Sequence, residues 1–167
     1  MDEDLSRTPA RSRDVQRRRQ IESCLDACHG SCVLREAWAA DLVESALLHF
    51  DGERYRMMAW VVMPNHVHAL FEPLARSKVA EIVESWKKFT SRRINAQLPA
   101  GSAALQSGTG PQRLWQREYW DRYIRDERHL HETIEYIHSN PVTAGLVTDA
   151  EVWRWSSASL MNSSDRG

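Results

Sequence analysis

The sequence predicts an α+β domain in which two adjacent antiparallel strands lie among amphipathic helices. Residues Tyr55–Met63 and His66–Glu72 are rich in strand formers, and the turn Pro64-Asn65 joins the two stretches. Apolar residues recur at helical spacing before and after this pair of strands. With 167 residues, of which 42% are hydrophobic, the chain has the length and apolar content of a single globular domain.

Two helices are predicted before the strands. Residues 11–28 are rich in arginine with a partly apolar face, and a second helix at Glu36–Phe50 carries apolar residues at helical spacing. We assign residues 1–30 to the Arg-rich N-terminal helix and tail. Residues 31–158 form the predicted domain, and residues 159–167 form a C-terminal tail.

The elements after the strands are two helices separated by a loop and a strand. Residues 98–112 are rich in Gly, Ser and Pro and predict a flexible loop, and the alternating pattern of Leu114–Ile124 predicts a strand. Asp126 can cap the last helix, which Asn140-Pro141 is expected to stop. Ser77 precedes the earlier helix, whose predicted core-facing stripe is Val79, Ile82, Val83, Trp86, Phe89 and Ile94.

Membrane and secretory signals are not seen in the sequence. No apolar run approaches the roughly 18 residues that a membrane-spanning helix requires. The first four residues, Met-Asp-Glu-Asp, are acidic where a signal peptide is basic and then apolar. The three cysteines are an odd number, which argues against a framework of disulfides. We therefore expect a cytoplasmic protein with no membrane partner.

Positive charge is concentrated in the centre of the chain. Residues 76–128 hold eleven basic and six acidic residues, although the formal net charge of the whole chain is -1. A localised phosphate-binding face and a merely solvated helix face both explain this block. The DNA-binding candidates on the first interpretation are Lys87, Lys88, Arg92, Arg93, Arg117, Arg122 and Arg125, with Trp120 as an aromatic that can stack on bases.

His66-Val67-His68 is the sharpest local signal for chemistry. Residues two apart in a strand point to the same side, so the two imidazoles project together while the alternate apolar residues face the core. Two neutral imidazoles placed in this way can chelate a divalent ion. Two surface histidines without a function explain the same pattern. His129 and His131 share the spacing but lie on a predicted helix, where about 200° separates them, and we exclude them as a chelate.

A tyrosine and an amide share one face of the last helix. Tyr136 and Asn140 are four residues apart, about 100° from the apolar stripe to which Ile137 belongs. A tyrosine at the core boundary and an asparagine at the helix end are the simpler interpretation. Together with the histidines, however, the amide can complete a metal site beside a tyrosine nucleophile. Tyr119 and Tyr123 have no Asn or Gln four residues later and rank below Tyr136 as nucleophiles.

Four segments form a linked set of motifs. They are Met63–Leu70, which holds the two histidines, Leu114–Glu127, Tyr136–Val147 and Trp153–Ser157. The set resembles the REP-associated branch of the single-tyrosine transposases, whose signature is histidine-hydrophobe-histidine (HUH). It covers roughly residues 36–158 in the order and spacing of the family, and four linked motifs are far more specific than one.

The resemblance implies a ferredoxin-like antiparallel sheet with helices packed on one face, the palm of HUH enzymes. It implies that His66 and His68 bind Mg²⁺ or Mn²⁺, with Asn140 as the third ligand. Tyr136 would attack single-stranded DNA and leave a 5′-phosphotyrosine and a free 3′-hydroxyl. The implied substrates are hairpins of palindromic repeats, and the active form is a monomer or a homodimer. The Arg-rich helix stands where the family has an opening strand.

Two other functions are compatible with the same residues. A domesticated regulator would bind DNA hairpins through the same fold and basic face without cutting them. A metal-dependent phosphodiesterase would use activated water, and Tyr136 would then be dispensable. Pure binding does not require His66, His68, Tyr136 and Asn140 together, so their joint presence favours the enzyme.

Overall fold

The structure is a computed structural model that describes residues 32–74, 76–98, 114–116 and 122–161. The predicted helix at residues 11–28 and nearly all of the predicted loop lie outside these ranges. Within these ranges, short 3₁₀ turns occur at Val33–Arg35 and Ala150–Val152. The regular elements are helix α1 (Ala37–Leu48), strands β1 (Tyr55–Val62) and β2 (Val67–Pro73), and helices α2 (Val79–Gln97), α3 (Glu127–Thr143) and α4 (Ala158–Met161).

Strands β1 and β2 pair in antiparallel register, as the sequence predicts. Val61 lies opposite His68 near the connecting turn. The register shifts between Met57 and Ala59, which marks an irregularity of the β-bulge type. Such an extra residue changes the alternation, so Met57 and Trp60 pack into the same core cluster although strict alternation would separate them.

Helices cover both faces of this hairpin. One face carries Trp60 and Val62 against α1 and α2, and the other carries Ala59 and Val61 against α3. The α+β class with an antiparallel sheet is confirmed. The sequence predicted helices on one face of the sheet, whereas the structure has helices on both faces. The five consecutive apolar residues from Ala59 to Met63 are all buried and therefore require cover on both sides. None of the described helices is long and apolar enough to cross a membrane.

The C-terminal segment binds the second edge of β1. The backbone N–H of Val62 donates to the carbonyl oxygen of Trp155 at 2.8 Å, and that of Ser157 donates to Trp60 at 3.0 Å. An isolated bridge between the same two segments lies at Val61. These bonds satisfy backbone groups that would otherwise form an open sheet edge.

The end of α3 differs from the prediction. The helix continues through Asn140-Pro141 to Thr143, because a proline in the last turn removes only one hydrogen bond. Gly145, with φ +69°, ends it instead. The N–H of Gly145 donates to Val142 O, and that of Leu146 donates to Pro141 O, both at 2.9 Å. This pair of bonds is the Schellman pattern of helix termini, and it requires the left-handed conformation that glycine adopts easily.

Two more sequence expectations need correction. Phe89 is 47% exposed, and Thr90 is buried in its place, because the Thr90 hydroxyl donates to Trp86 O and accepts from the indole of Trp115. Residues 114–116 and 122–124 of the predicted strand are irregular, and residues 117–121 lie outside the described ranges. The predicted cap of α3 is confirmed, since the Asp126 carboxylate accepts from the N–H of His129 at 2.8 Å.

The hydroxyl of Tyr55 provides a test of the core. Tyr55 is fully buried, donates to Leu47 O at 2.7 Å and accepts from the indole N–H of Trp86 at 3.0 Å. Tyr55→Phe leaves the buried carbonyl of Leu47 and the half-buried indole of Trp86 without this oxygen, so we expect the free energy of unfolding in urea to fall by about 2 kcal/mol. Tyr123→Phe is the control, because Tyr123 is 83% exposed. Equal stability of the two variants would contradict this account.

Candidate active site

The two histidines of the HUH segment lie side by side at the start of β2. His68 is the second residue of the strand, and His66 immediately precedes the strand. Their ring centroids are 4.8 Å apart with the rings at 82° to each other. The structure therefore brings together the pair that the strand period predicts.

Tyr136 of α3 contacts this pair. Its ring centroid lies 5.4 Å from that of His68 in an edge-to-face arrangement, and its side chain is half-buried. Leu70, two residues after His68, is only 9% exposed and packs in the core cluster that includes Ile137. Val67 packs against the core cluster of Trp60 and Val62, as predicted for its face of β2, and α3 packs over the histidine face as well.

Asn140 follows Tyr136 by one turn of α3. Asn140 is 7% exposed, and Ile137, which lies between Tyr136 and Asn140 in the sequence, is 3% exposed. Ile137 anchors the helix on the hairpin, so the face that carries Tyr136 and Asn140 borders the core at the angle that helical spacing predicts. One helix face thus presents the phenol and the amide on the side of β2 that carries the histidines.

The hydrogen bond of His66 indicates its tautomer. Nδ1 of His66 lies 2.8 Å from Oδ1 of Asn65. An amide oxygen only accepts, so the contact is a hydrogen bond when Nδ1 carries the proton, and in that neutral tautomer the lone pair is on Nε2. A histidine that donates through one ring nitrogen and ligates through the other is the usual arrangement at metal centres. The local geometry is therefore suited to a metal ligand.

The candidate donor set suits one of the two metals implied by the resemblance better than the other. The described residues contain no group of three or more His, Cys, Asp or Glu that could hold a metal. The candidate set is two imidazoles, from His66 and His68, and the amide oxygen of Asn140. Mg²⁺ prefers oxygen ligands, and imidazole suits transition-metal ions better. The residues thus fit a divalent ion, and they fit Mn²⁺ better than Mg²⁺.

His138 is a residue of this region that the sequence analysis missed. Its Nε2 lies 2.8 Å from Oγ of Ser157, which belongs to the segment along β1. Burial lowers the pKa of His138 below its ordinary value, because the charged imidazolium loses solvation. Its place two residues after Tyr136, inside the tyrosine motif, is the only sequence signal that points to it.

The basic candidates are distributed over two described surfaces. On α2, Arg92 and Arg93 are exposed, and the guanidinium of Arg93 lies over the ring of Phe89. Lys87 donates to the backbone oxygen of Gln116 at 2.8 Å, and Lys88 pairs with Glu84. Before α3, Arg122 and Arg125 are exposed, whereas Arg117 and Trp120 lie outside the described residues.

The second pair of histidines has local partners. His131 Nδ1 lies 2.9 Å from the carbonyl oxygen of Glu127, and His129 Nδ1 accepts from the N–H of Arg125 at 3.4 Å. Both residues lie on α3, as predicted. They therefore serve as matched controls for His66 and His68.

A known protein family matches the part of the chain that carries this site. The family model described as "Transposase IS200 like" matches residues 32–140. The chain belongs to this transposase family. The match begins at the first described residue and ends at Asn140, so it includes all four candidate active-site residues.

Curated relatives of this transposase-family chain include REP-associated tyrosine transposases. One from Escherichia coli K12 is 26% identical over 118 residues, which are 69% of this chain and 62% of the relative. A Haemophilus influenzae protein described as a "Putative REP-associated tyrosine transposase" is 28% identical over 106 residues, which are 62% of this chain and 58% of the relative. The chain therefore spans about three fifths of the length of these relatives. The resemblance seen in the four motifs is confirmed.

A solved structure also resembles this chain. It is a REP-associated tyrosine transposase bound to a REP hairpin, with a TM-score of 0.59 and 20% identity. The similarity covers 78% of this chain and 69% of the solved one. At this identity the comparison shows the fold, which agrees with the α+β arrangement described above.

Proposed function

We propose that this chain is a metal-dependent endonuclease and strand transferase that cuts single-stranded DNA through Tyr136. Its substrates are hairpins formed by palindromic repeats. The observation that carries the proposal is the cluster of His66, His68 and Tyr136, which come from two distant motifs and meet on one side of β2. The hairpin bound to the solved neighbour supports this class of substrate.

The nucleophile is the phenol oxygen of Tyr136. It attacks the phosphorus of a phosphodiester, a bond forms between that oxygen and phosphorus, and the bond to the 3′ oxygen breaks. The phenol proton leaves to solvent, and the 3′ oxygen takes up a proton to become a hydroxyl. The 5′-phosphotyrosine ester conserves the bond energy, so a 3′-hydroxyl of another strand can reverse the step and complete strand transfer.

His66, His68 and Asn140 are the residues that would hold the divalent ion. When bound, the ion polarises the phosphate and lowers the barrier to attack by a phenol whose ordinary pKa is about 10. The Oδ1 of Asn65, 2.8 Å from Nδ1 of His66, would favour the tautomer in which Nε2 is the ligating atom. The contact with His68 keeps the phenol ring of Tyr136 beside the site.

The test is to incubate the chain with a single-stranded DNA hairpin and Mn²⁺. The proposal predicts a protein–DNA adduct that survives denaturation and a free 3′-hydroxyl on the released strand. Cleavage without an adduct would support a phosphodiesterase that uses activated water. Tight hairpin binding without cleavage would support a DNA-binding regulator. Either of these results would overturn the proposal.

The exposed arginines of α2 are proposed to bind the DNA backbone. Arg92→Gln combined with Arg93→Gln should weaken hairpin binding and reduce the slope of log affinity against log salt by about 1.4, since each phosphate contact on a single strand contributes about 0.7. Fluorescence anisotropy over a salt series measures both quantities. Arg56→Gln is the control, because that exposed guanidinium pairs with Glu72. An unchanged slope, with folding verified by circular dichroism, would assign these arginines to a solvated face.

A further inference from the structure

We propose that His138 is a positioning residue, which holds the nucleophile-bearing helix α3 on the edge of β1 through Ser157. This inference rests on the proposed function of Tyr136. We name the three partners, His138, Ser157 and the backbone of Trp60, the clamp. The clamp does not include the residues proposed to touch the metal or the phosphate.

The hydrogen bonds of Ser157 carry the inference. Its Oγ lies 2.8 Å from Nε2 of His138 and accepts from the backbone N–H of Trp60 at 3.1 Å. Its own backbone N–H donates to the carbonyl oxygen of Trp60 at 3.0 Å. The hydroxyl also lies 3.3 Å from the carbonyl oxygen of Trp60, so three contacts join Ser157 to the backbone of β1. The shortest contact of the hydroxyl, at 2.8 Å, is the one to His138 of α3.

The clamp connects the two halves of the candidate site by a short path. His138 is two residues from Tyr136 on α3, and Trp60 is adjacent to Val61, which lies opposite His68 in the sheet. Apolar packing of Ile137, Leu130 and Ile134 holds α3 against the sheet, and such contacts are not directional. A hydrogen bond has strict distance and angle requirements, so the clamp sets the position of α3 along β1.

Catalysis depends steeply on such positioning. A displacement of about 1 Å in a reacting group can cost about 100-fold in rate. His138→Ala should therefore slow adduct formation by about 10- to 100-fold and leave hairpin affinity unchanged. His138→Gln retains a polar amide at the end of the side chain and should restore most of the rate. His131→Ala and Ser159→Ala are the matched controls, since their side chains bond within their own segments.

The experiment combines a double-mutant cycle with a measurement that does not depend on activity. Ser157→Ala should slow adduct formation as much as His138→Ala, and the double variant should be no slower than the slower single variant. In parallel, the nuclear Overhauser effect between the ring protons of Tyr136 and His68 should weaken in His138→Ala and persist in His138→Gln.

Three results would overturn the clamp. They are a wild-type rate in His138→Ala, additive effects in the double variant, and an unchanged Overhauser effect in His138→Ala. If the wild-type chain forms no adduct, the proposed function fails. The Overhauser measurement then still decides whether the clamp holds Tyr136 against His68.

Discussion

Tyr136→Phe should abolish the covalent adduct and lower the rate of DNA cleavage by about 10⁴-fold or more, the scale of loss when a covalent nucleophile is removed. The substitution deletes one oxygen atom. It keeps the ring that packs against His68 and beside the core cluster of Ile137. We therefore expect the variant to unfold cooperatively in calorimetry and its hairpin affinity, measured by anisotropy, to stay at the wild-type value.

The matched control for this substitution is Tyr123→Phe, in which an exposed phenol loses the same atom. It should cleave DNA and form the adduct at the wild-type rate. Wild-type cleavage by Tyr136→Phe would exclude the phenol as nucleophile and favour activated water. Loss of the adduct in Tyr123→Phe alone would move the nucleophile to that residue.

His68→Ala and His66→Ala should each lower cleavage by at least about 100-fold, because a catalytic metal supplies several kcal/mol of charge stabilisation. Each variant removes one imidazole from a candidate ligand set that contains two. Mn²⁺ affinity measured by titration calorimetry should fall in both. A higher Mn²⁺ concentration should partly restore the cleavage rate of His66→Ala, since more of the metal sites are then occupied.

His129→Ala and His131→Ala control for the loss of a histidine elsewhere on the chain. Their imidazoles have partners within or beside the first turns of α3 and do not point to a shared ion. They should retain wild-type metal affinity and cleavage. Equal Mn²⁺ affinity in all four alanine variants would contradict the assignment of His66 and His68 as ligands.

Local signals predicted most of the helices and strands in the described residues. Alternation of strand formers indicated β1 and β2, and Asp126 marked the start of α3, because each pattern depends on neighbouring residues. No local sequence pattern predicts the irregularity between Met57 and Ala59. The end of α3 was predicted too early because proline is a stronger stop signal in a sequence than glycine. In the structure the last turn of the helix accommodates Pro141, and Gly145 adopts the left-handed conformation that ends the helix.

The candidate site could be predicted only in part from periodicity. The strand period places His66 and His68 on one side, and the helix period places Tyr136 and Asn140 on one face. Contact between the two sets depends on how α3 crosses the hairpin, which no local pattern specifies. The family resemblance supplied that grouping. The hydrogen bond between His138 and Ser157, nineteen residues later, was not predicted for the same reason.

Peptide mapping of the adduct tests the central claim most directly. The four tyrosines of the chain lie on four different tryptic peptides, because lysine or arginine separates each from the next. After reaction with a hairpin and Mn²⁺, nuclease trimming and trypsin, mass spectrometry should find the nucleotide remnant on peptide 129–154, attached at Tyr136. A remnant on peptide 118–122 or 123–125, or cleaved DNA with no modified peptide, would contradict the account.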